Sequence, residues 1–240
     1  MLFRRTLLAG AAAGAVAAML AGCEDPRAEI KELKSLVQVA YGNKKFREVA
    51  THASKGLTLA LANLGPKSSD TLYFAQALSE AYTELRDKKN ALAALNREID
   101  LRLGAGQGEQ KVQARRTLAI KFAEEIGDRA AAAKHAVAIA KAIGMEKGKD
   151  PQPVYRTDTV YPPEQYAKGV EGDVTISYAL DRNGSVLDAK VVKAKPGAVF
   201  DAAALNSFKN WRFTPMLQDG VPVESSGHEF TLQFRLGQKN

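Results

Sequence analysis

Cysteine is almost absent from this chain, which has one cysteine in 240 residues, together with three histidines and one tryptophan. A single cysteine cannot form a disulfide within the chain, so a disulfide framework is excluded. The histidines, His52, His135 and His228, lie in separate segments and form neither an HExxH motif nor a paired-histidine spacing. We expect His52 and His135 on helix surfaces, and we predict no metal site, no catalytic residue and no cofactor.

Other motifs of enzymatic or nucleic-acid chemistry are also missing. The glycine-rich stretch Gly104–Gly108 lacks the Lys-Ser/Thr pair that follows a phosphate-binding loop and the strand that precedes it. No serine lies in a nucleophile-elbow motif. Lysine and arginine are interspersed with acidic residues, without a basic stripe with interleaved aromatics, which argues against nucleic-acid binding. The sequence therefore predicts that the protein is not an enzyme and that its function depends on what it binds.

The amino terminus has the features of an export signal. Met1–Arg5 is basic, and Thr6–Leu20 is rich in Ala, Leu and Gly, shorter and less apolar than the roughly 20 strongly apolar residues of a membrane span. The run ends in Leu20-Ala21-Gly22-Cys23, which resembles a bacterial lipobox. That resemblance implies cleavage before Cys23 and its lipidation; the alternative is a free thiol on a signal-anchor helix.

Lipidation of Cys23 implies a lipid-anchored protein of the cell envelope that faces the periplasm. Several acyl chains, at roughly 0.8 kcal/mol per buried CH₂, would make the membrane attachment permanent. Glu24, rather than aspartate, follows the cysteine. By analogy with enteric sorting rules, this favours the outer over the inner membrane.

The middle of the chain has the pattern of paired helices. We predict helices near residues 27–42, 45–64, 70–85, 88–103, 109–126 and 129–144. Short turns at Asn43, Asp87 and Asp128 recur roughly every 42 residues. This segment resembles tetratricopeptide repeats, which implies three repeats with a continuous core and a concave groove for a second peptide partner. The alternative is a helical spacer that packs against itself or a second copy.

The last third of the chain has strand-like alternation. Asp173–Asp181 places four apolar side chains on one face, namely Val174, Ile176, Tyr178 and Leu180. The turn at Asn183-Gly184 suits a hairpin that returns through Ser185–Lys193. Asp201 can cap a short helix with an apolar stripe, and Glu229–Leu236 alternates again. The pattern predicts a small antiparallel sheet covered on one face by a helix.

These residues carry a resemblance to the TonB C-terminal domain family over about residues 160–236. The landmarks in chain order are Tyr161-Pro162, Ala167-x-Gly169-x-x-Gly172-x-Val174, Asn183-Gly184, Phe200–Leu205, Trp211–Pro215, Gly220–Val223 and Phe234–Leu236. The resemblance implies a periplasmic β-β-α-β module that binds the TonB box, a short peptide of outer-membrane transporters. Binding adds a strand to the exposed edge of the last strand.

The resemblance also implies which residues contact the partner. They are Tyr161, Pro162, Phe230, Thr231, Leu232, Gln233 and Phe234. From the residues alone, a core strand with a protected edge is the favoured interpretation of Glu229–Leu236, and the resemblance reverses this preference. Tyr161-Pro162 could contact the partner or only set the entry turn. We expect Trp211 to be structural and to close the corner between helix and strand.

The sequence thus predicts an α+β protein of two domains, helical-hairpin repeats followed by a β-β-α-β domain. The predicted segments are a signal peptide (1–22), a lipidated N-terminus (23–26), tetratricopeptide-like repeats (27–144), a linker (145–159) and a TonB C-terminal-like domain (160–240). We expect a lipid-anchored protein that binds TonB-box peptides and supports energy-dependent transmembrane transport. The alternative is an envelope scaffolding lipoprotein that tethers partners or forms a homodimer without energy transduction.

The amino terminus leaves the coupling to proton motive force open. TonB energy transducers begin with an uncleaved transmembrane helix that carries a serine and a histidine for the motor complex. Residues 1–22 contain neither residue type.

Overall fold

Paired helices form the first part of the molecule. The computed structural model describes residues 25–146 and 148–237. The helices of residues 25–146 are Pro26–Gly42 (α1), Phe46–Leu64 (α2), Ser69–Glu84 (α3), Lys88–Gly104 (α4), Glu109–Ile126 (α5) and Arg129–Ala142 (α6). Their ends lie within about two residues of the predicted ones, as expected for helix boundaries. The predicted signal peptide and Cys23 lie outside the described residues.

Side-chain caps explain where several of these helices begin. The hydroxyl oxygen of Ser68 accepts the backbone N–H of Thr71 at the start of α3. Asp87 and Asp128 cap α4 and α6 in the same way, each with a carboxylate oxygen. These caps satisfy backbone donors that have no partner within the helix. Of the three recurring turns of the sequence, those at Asp87 and Asp128 are therefore helix starts, whereas Asn43 follows the last residue of α1.

Each helix packs mainly against the next one along the chain. Small residues allow a close approach between α2 and α3, where a Cβ added at Gly56 would lie 2.4 Å from Cε1 of the buried Phe74 ring. One hydrophobic core is formed by α1, α2 and α3, and a second by α4, α5 and α6. The stacked helical hairpins agree with the predicted repeat architecture.

His135 corrects one expectation, because it is buried rather than on a helix surface. Its Nε2 lies 2.7 Å from Oδ1 of Asn96, and its Nδ1 lies 3.3 Å from Nη1 of Arg116. Burial, followed by the positive charge of Arg116, lowers the pKa of His135 to about 4. The sequence pattern missed this because a polar partner on each side lets a histidine occupy a core position.

The second part of the chain is a sheet domain. Its elements are Pro153–Tyr155 (β1), Pro163–Ala167 (α7), Gly172–Leu180 (β2), Val186–Lys195 (β3), Asp201–Phe208 (α8), Arg212–Phe213 (β4), Met216–Gln218 (β5), Val221–Val223 (β6) and Ser225–Phe234 (β7). Strands β3, β2 and β7 form an antiparallel sheet in that order. The predicted α+β class is confirmed.

The predicted inner face of β2 is also confirmed. All four of its apolar side chains are buried: Val174, Ile176, Tyr178 and Leu180. They share a core with Phe200, with Phe208 of α8 and with Phe213 of β4. Because the opposite side chains of β2 are less buried, the alternation in sequence corresponds to two faces with different environments.

Two local expectations differ from the structure. The last strand begins at Ser225 rather than Glu229, because pairing with β2 continues beyond an irregularity in register, and Leu236 lies exposed after the strand end. Asp201 is the first residue of α8 and its carboxylate makes no capping hydrogen bond. A 3₁₀ turn at Ala198–Phe200 runs directly into the helix, so no cap position is left for Asp201.

In the segment predicted as a linker, 145–159, the described residues pack against their neighbours instead of extending. Met145 is buried with Met216 and Leu217 of β5 and Ala140 of α6. The backbone N–H of Leu217 donates to the carbonyl of Met145 at 2.8 Å. Strand β1 pairs with β4. The few apolar side chains of this segment therefore join the helical part to the sheet domain.

Candidate functional site

Strand β7 lies at one edge of the three-stranded sheet, with β2 as its neighbour on one side. From Gly172↔Phe234 to Tyr178↔His228 the two strands pair without interruption. The irregularity in register comes only beyond Tyr178. The opposite side of residues 228–234 therefore presents a regular row of main-chain N–H and C=O groups.

The other edge, β3, is much less regular. Its pairing with β2 is shifted at two places, and Asp188 adopts a left-handed conformation with φ of 48°. Lysines follow along the strand at Lys190, Lys193 and Lys195. Bulges and lysines on an edge disfavour pairing with a further strand. Of the two edges, β7 is the one suited to accept an added strand.

A groove of about 280 Å³ runs beside this edge of β7. Its far wall is the segment Arg156–Thr159, which we call the strap. The groove is further lined by Trp211, Phe230, Thr231, Leu232 and Gln233. The rings of Trp211 and Phe230 meet edge to face, with centroids 5.3 Å apart. The groove thus combines an apolar aromatic surface with the backbone edge of a strand.

Side-chain contacts hold the strap in place. The indole N–H of Trp211 donates to the carbonyl of Thr157 at 3.3 Å, and the Thr157 hydroxyl donates to the carbonyl of Ser207 at 2.9 Å. The Arg156 guanidinium lies 5.0 Å from the ring centroid of Trp211 and 5.6 Å from that of Phe230. Such cation–π contacts are each worth roughly 0.5–1 kcal/mol at exposed sites.

The strap does not itself pair with β7. Across residues 25–146 and 148–237, no backbone hydrogen bond joins the strap to the strand. The strap therefore leaves the main-chain groups of this edge for another chain or for solvent.

The predicted contact residues on β7 divide into two groups. Leu232 and Phe234 are buried in the core, so they can offer a partner only their main-chain groups. Thr231 and Gln233 are exposed, and the half-buried Phe230 lines the groove with its ring. This alternation follows from the pleat, which places successive side chains on opposite faces.

Tyr161 and Pro162 lie at the entry to the domain. The Tyr161 ring packs edge to face on Phe200 and Phe234, at 5.4 and 5.7 Å between centroids. Its hydroxyl donates to the carbonyl of Val170. Pro162 stands at the start of α7, and its carbonyl accepts two backbone N–H groups of the following turn. These contacts build the entry turn, and a partner contact through either residue stays a prediction.

Two groove residues were not found from the sequence as site residues. Trp211 closes the corner between α8 and β4, as expected, but its buried ring also lines the groove. Arg156 lies in a polar, proline-containing segment without periodicity, and nothing in its sequence context marks it. Only the fold brings it over two aromatic rings.

Nowhere in residues 25–146 and 148–237 is a helix both long and apolar enough to cross a bilayer. Over the same ranges, no group of three or more His, Cys, Asp or Glu side chains could hold a metal ion.

Curated relatives are similar to the C-terminal part of the chain. Protein TonB of Yersinia enterocolitica is 27% identical over 94 residues, which cover 39% of this chain and 34% of the relative. Protein TonB of Vibrio cholerae is 32% identical over 76 residues, which cover 32% of this chain and 31% of the relative. The chain therefore spans about a third of the length of these relatives.

Two solved structures are each similar to about two fifths of the chain. The solution NMR structure of the Pseudomonas aeruginosa TonB CTD has a TM-score of 0.32 and 24% identity, covering 39% of this chain and 94% of that one. The TonB2 protein of Vibrio anguillarum has a TM-score of 0.30 and 34% identity, covering 38% of this chain and 87% of that one.

Residues 157–236 match the family described as Gram-negative bacterial TonB protein C-terminal, which confirms the family predicted for the last third of the sequence.

Proposed function

We propose that this protein binds extended peptides of the TonB-box type by β-strand addition at residues 228–234 of β7. In this role it supports energy-dependent transport through outer-membrane transporters. The observation that carries the proposal is the regular, unpaired edge of β7 beside an aromatic groove. The match of residues 157–236 to the TonB C-terminal family supports the same reading.

Main-chain hydrogen bonds supply the common part of the binding energy. Each contributes a net stabilisation of about 0.5–1.5 kcal/mol, independent of the side chains of the peptide. Alternate side chains of the added strand would face Trp211 and Phe230, while the others would lie beside Thr231 and Gln233. The site therefore favours a peptide in which apolar and polar residues alternate.

Nuclear magnetic resonance tests this proposal directly. TonB-box peptides are titrated into ¹⁵N-labelled residues 24–240, and amide shifts are followed. We expect the largest shifts at residues 228–234, with Lys190 and Lys193 on the opposite edge as internal controls. If no β7 amide shifts at millimolar peptide, strand addition at this edge is excluded.

The proposed location depends on Cys23, which lies outside the described residues. We infer a lipid-anchored protein that faces the periplasm, with the outer membrane favoured. We expect radioactive palmitate to label the natural chain but not Cys23→Ala. The variant protein should also be absent from the membrane fraction. A Cys23→Ala protein that stays membrane-bound would instead support a signal-anchor helix.

The repeats are proposed to hold a second peptide partner in their concave groove. A depression of about 290 Å³ between α1 and α3 is lined by Tyr41, Tyr73, Gln76 and Glu80, among others. The Tyr41 hydroxyl donates to Glu80 at 2.7 Å, which holds these two side chains of the groove together. A peptide-array screen that compares Tyr73→Ala with the natural chain tests whether peptides bind in this depression.

A scaffolding lipoprotein without energy transduction is the second candidate function. It is supported by the packing of Met145 against Leu217, which joins the two parts directly instead of through a long flexible arm. Uptake of a transporter ligand separates the two functions, since only the first requires this chain for uptake. Analytical ultracentrifugation tests the homodimer that scaffolding allows.

A further inference from the structure

A second groove, of about 760 Å³, lies on the other side of the strap. One wall is α5, through Arg115, Leu118 and Lys121, and the other includes Val154 and Tyr155 of β1. We call it the α5 groove. Val154 and Tyr155 also pack on the core of α4 to α6, so this wall belongs to the helical part as much as to the sheet domain.

The α5 groove and the groove beside β7 share three residues. Arg156, Thr157 and Asp158 line both of them. Because the same three residues form a wall of each groove, the two grooves are separated by little more than the width of the strap. The strap is held by Trp211 and Ser207, and its position between the grooves is therefore defined by side-chain contacts.

The shared residues lie toward one end of the β7 edge. Arg156 is stacked at 5.6 Å from the ring of Phe230, near the start of the regular edge. At the other end, Phe234 packs on Tyr161, beyond the strap. A strand added to β7 would thus leave the edge past Phe230 in the direction of the α5 groove.

Charge in the α5 groove favours an acidic ligand. Its cations are Arg115, Lys121 and Arg156, and its acids are Glu125 and Asp158. Two of these charges are already neutralised by ion pairs outside the groove lining. Arg115 pairs with Glu98 and Glu80, and Glu125 pairs with Lys88 at 3.1 Å. The remaining lining charges are Lys121, Arg156 and Asp158, two positive and one negative.

Lys121 is the cation best placed for a ligand. It is exposed, and among the described residues no ion pair is found for it. The half-buried Leu118 lies three residues earlier on the same helix and also lines the groove. Lys121 and Leu118 together present one positive charge beside one apolar side chain.

We propose that the β7 edge and the α5 groove form one continuous peptide site, which rests on the proposed strand addition. The flank of the peptide that passes Phe230 crosses the strap and places an acidic side chain on Lys121 and an apolar one on Leu118. The helical repeats therefore contribute to selectivity for the peptide residues next to the segment that pairs with β7. The partner is an extended peptide with an acidic and apolar flank.

Fluorescence anisotropy with residues 24–240 tests this proposal. Three peptides are compared: a TonB-box peptide, the same peptide with Glu-Leu-Glu-Leu added at its N-terminus, and the same peptide with that extension at its C-terminus. The measured quantity is the ratio of the dissociation constants of the core and extended peptides. We expect one extension to tighten binding about fivefold, the effect of one favourable ion pair near a surface.

Charge reversal identifies where the extension binds. Lys121→Glu is expected to reduce the gain from the extension to about one, whereas the matched variant Lys111→Glu, exposed on the same helix, retains it. Equal affinities of core and extended peptides, or a gain that survives Lys121→Glu, would overturn the continuous site alone. A core peptide that fails to bind, with no shift at β7 amides, would overturn the proposed function as well.

Discussion

Arg212 and Glu124 form an ion pair that joins the sheet domain to the helical repeats. Arg212, on β4, is 3% exposed, and it also donates to the carbonyl of Asn183 at 2.8 Å and to the hydroxyl of Ser185 at 3.2 Å. One guanidinium therefore binds α5, the β2–β3 turn and its own strand together. This contact ties β4 and the β2–β3 turn to α5, the helix that forms one wall of the α5 groove.

Removing this guanidinium should destabilise the whole chain. Arg212→Ala leaves the largely buried Glu124 carboxylate unpaired, and we expect a loss of about 3 kcal/mol in the free energy of unfolding. Urea denaturation measures it. Lys168→Ala, which removes the exposed pair with Glu164, should cost less than about 0.5 kcal/mol. Equal costs for the two variants would contradict a structural role for Arg212.

Trp211 should report peptide binding directly. It is the one tryptophan of the chain, and its ring lines the groove beside β7. A peptide added to β7 would displace water from this ring, so we expect a shift of its emission to shorter wavelength on titration. A peptide that binds by anisotropy but leaves the emission unchanged would bind elsewhere.

The free energy of unfolding should decrease as the pH is lowered, because His135 is buried in its neutral form. Its folded pKa of about 4 lies below the ordinary value of 6.5, so the unfolded chain binds the proton first. Its contribution is present above pH 6.5 and is lost as pH falls from 6.5 toward 4, by up to about 3 kcal/mol. Unfolding in urea at pH 7.0, 5.5 and 4.0 measures this loss.

A variant separates His135 from the acids that titrate in the same range. His135→Gln cannot gain a charge, so its stability should depend less on pH between 6.5 and 4. His52→Gln is the matched control and should keep the natural dependence. Identical curves for the two variants would rule out the buried ring as the cause.

Close packing of α2 on α3 makes Gly56 sensitive to a single methyl group. An added Cβ would lie 2.4 Å from the ring of Phe74, which is fully buried and cannot easily move. We expect Gly56→Ala to cost about 2 kcal/mol despite its better helix propensity. Gly42→Ala, with no neighbouring atom within 4 Å, should be neutral or slightly stabilising. Thermal unfolding of both variants measures the two effects.

Local patterns accounted for much of the fold. The six helices of residues 25–146 and the inner face of β2 were predicted because turns such as the one at Asp87 and the period of β2 depend on near neighbours in sequence. The burial of His135 was not predicted, because its partners Asn96 and Arg116 lie on other helices. A single-sequence pattern contains no such long-range pairing.

The candidate site was predicted in part. The residues of β7 were named from the family landmarks, but their division into buried Leu232 and Phe234 and exposed Thr231 and Gln233 required the sheet. Arg156 was not named, because its role depends on rings that follow it by more than fifty residues in the chain. A contact of that kind is decided by how elements pack.

The sequence by itself determined the helix periods, the alternation of the strands and the family of residues 157–236, since these are properties of local composition and order. The tertiary structure alone decided that β7 is an edge, that β3 is a poor one, and that the strap lies between two grooves. The physical reason is that an unpaired edge or a groove is a relation between distant segments. It exists only once packing has placed them side by side.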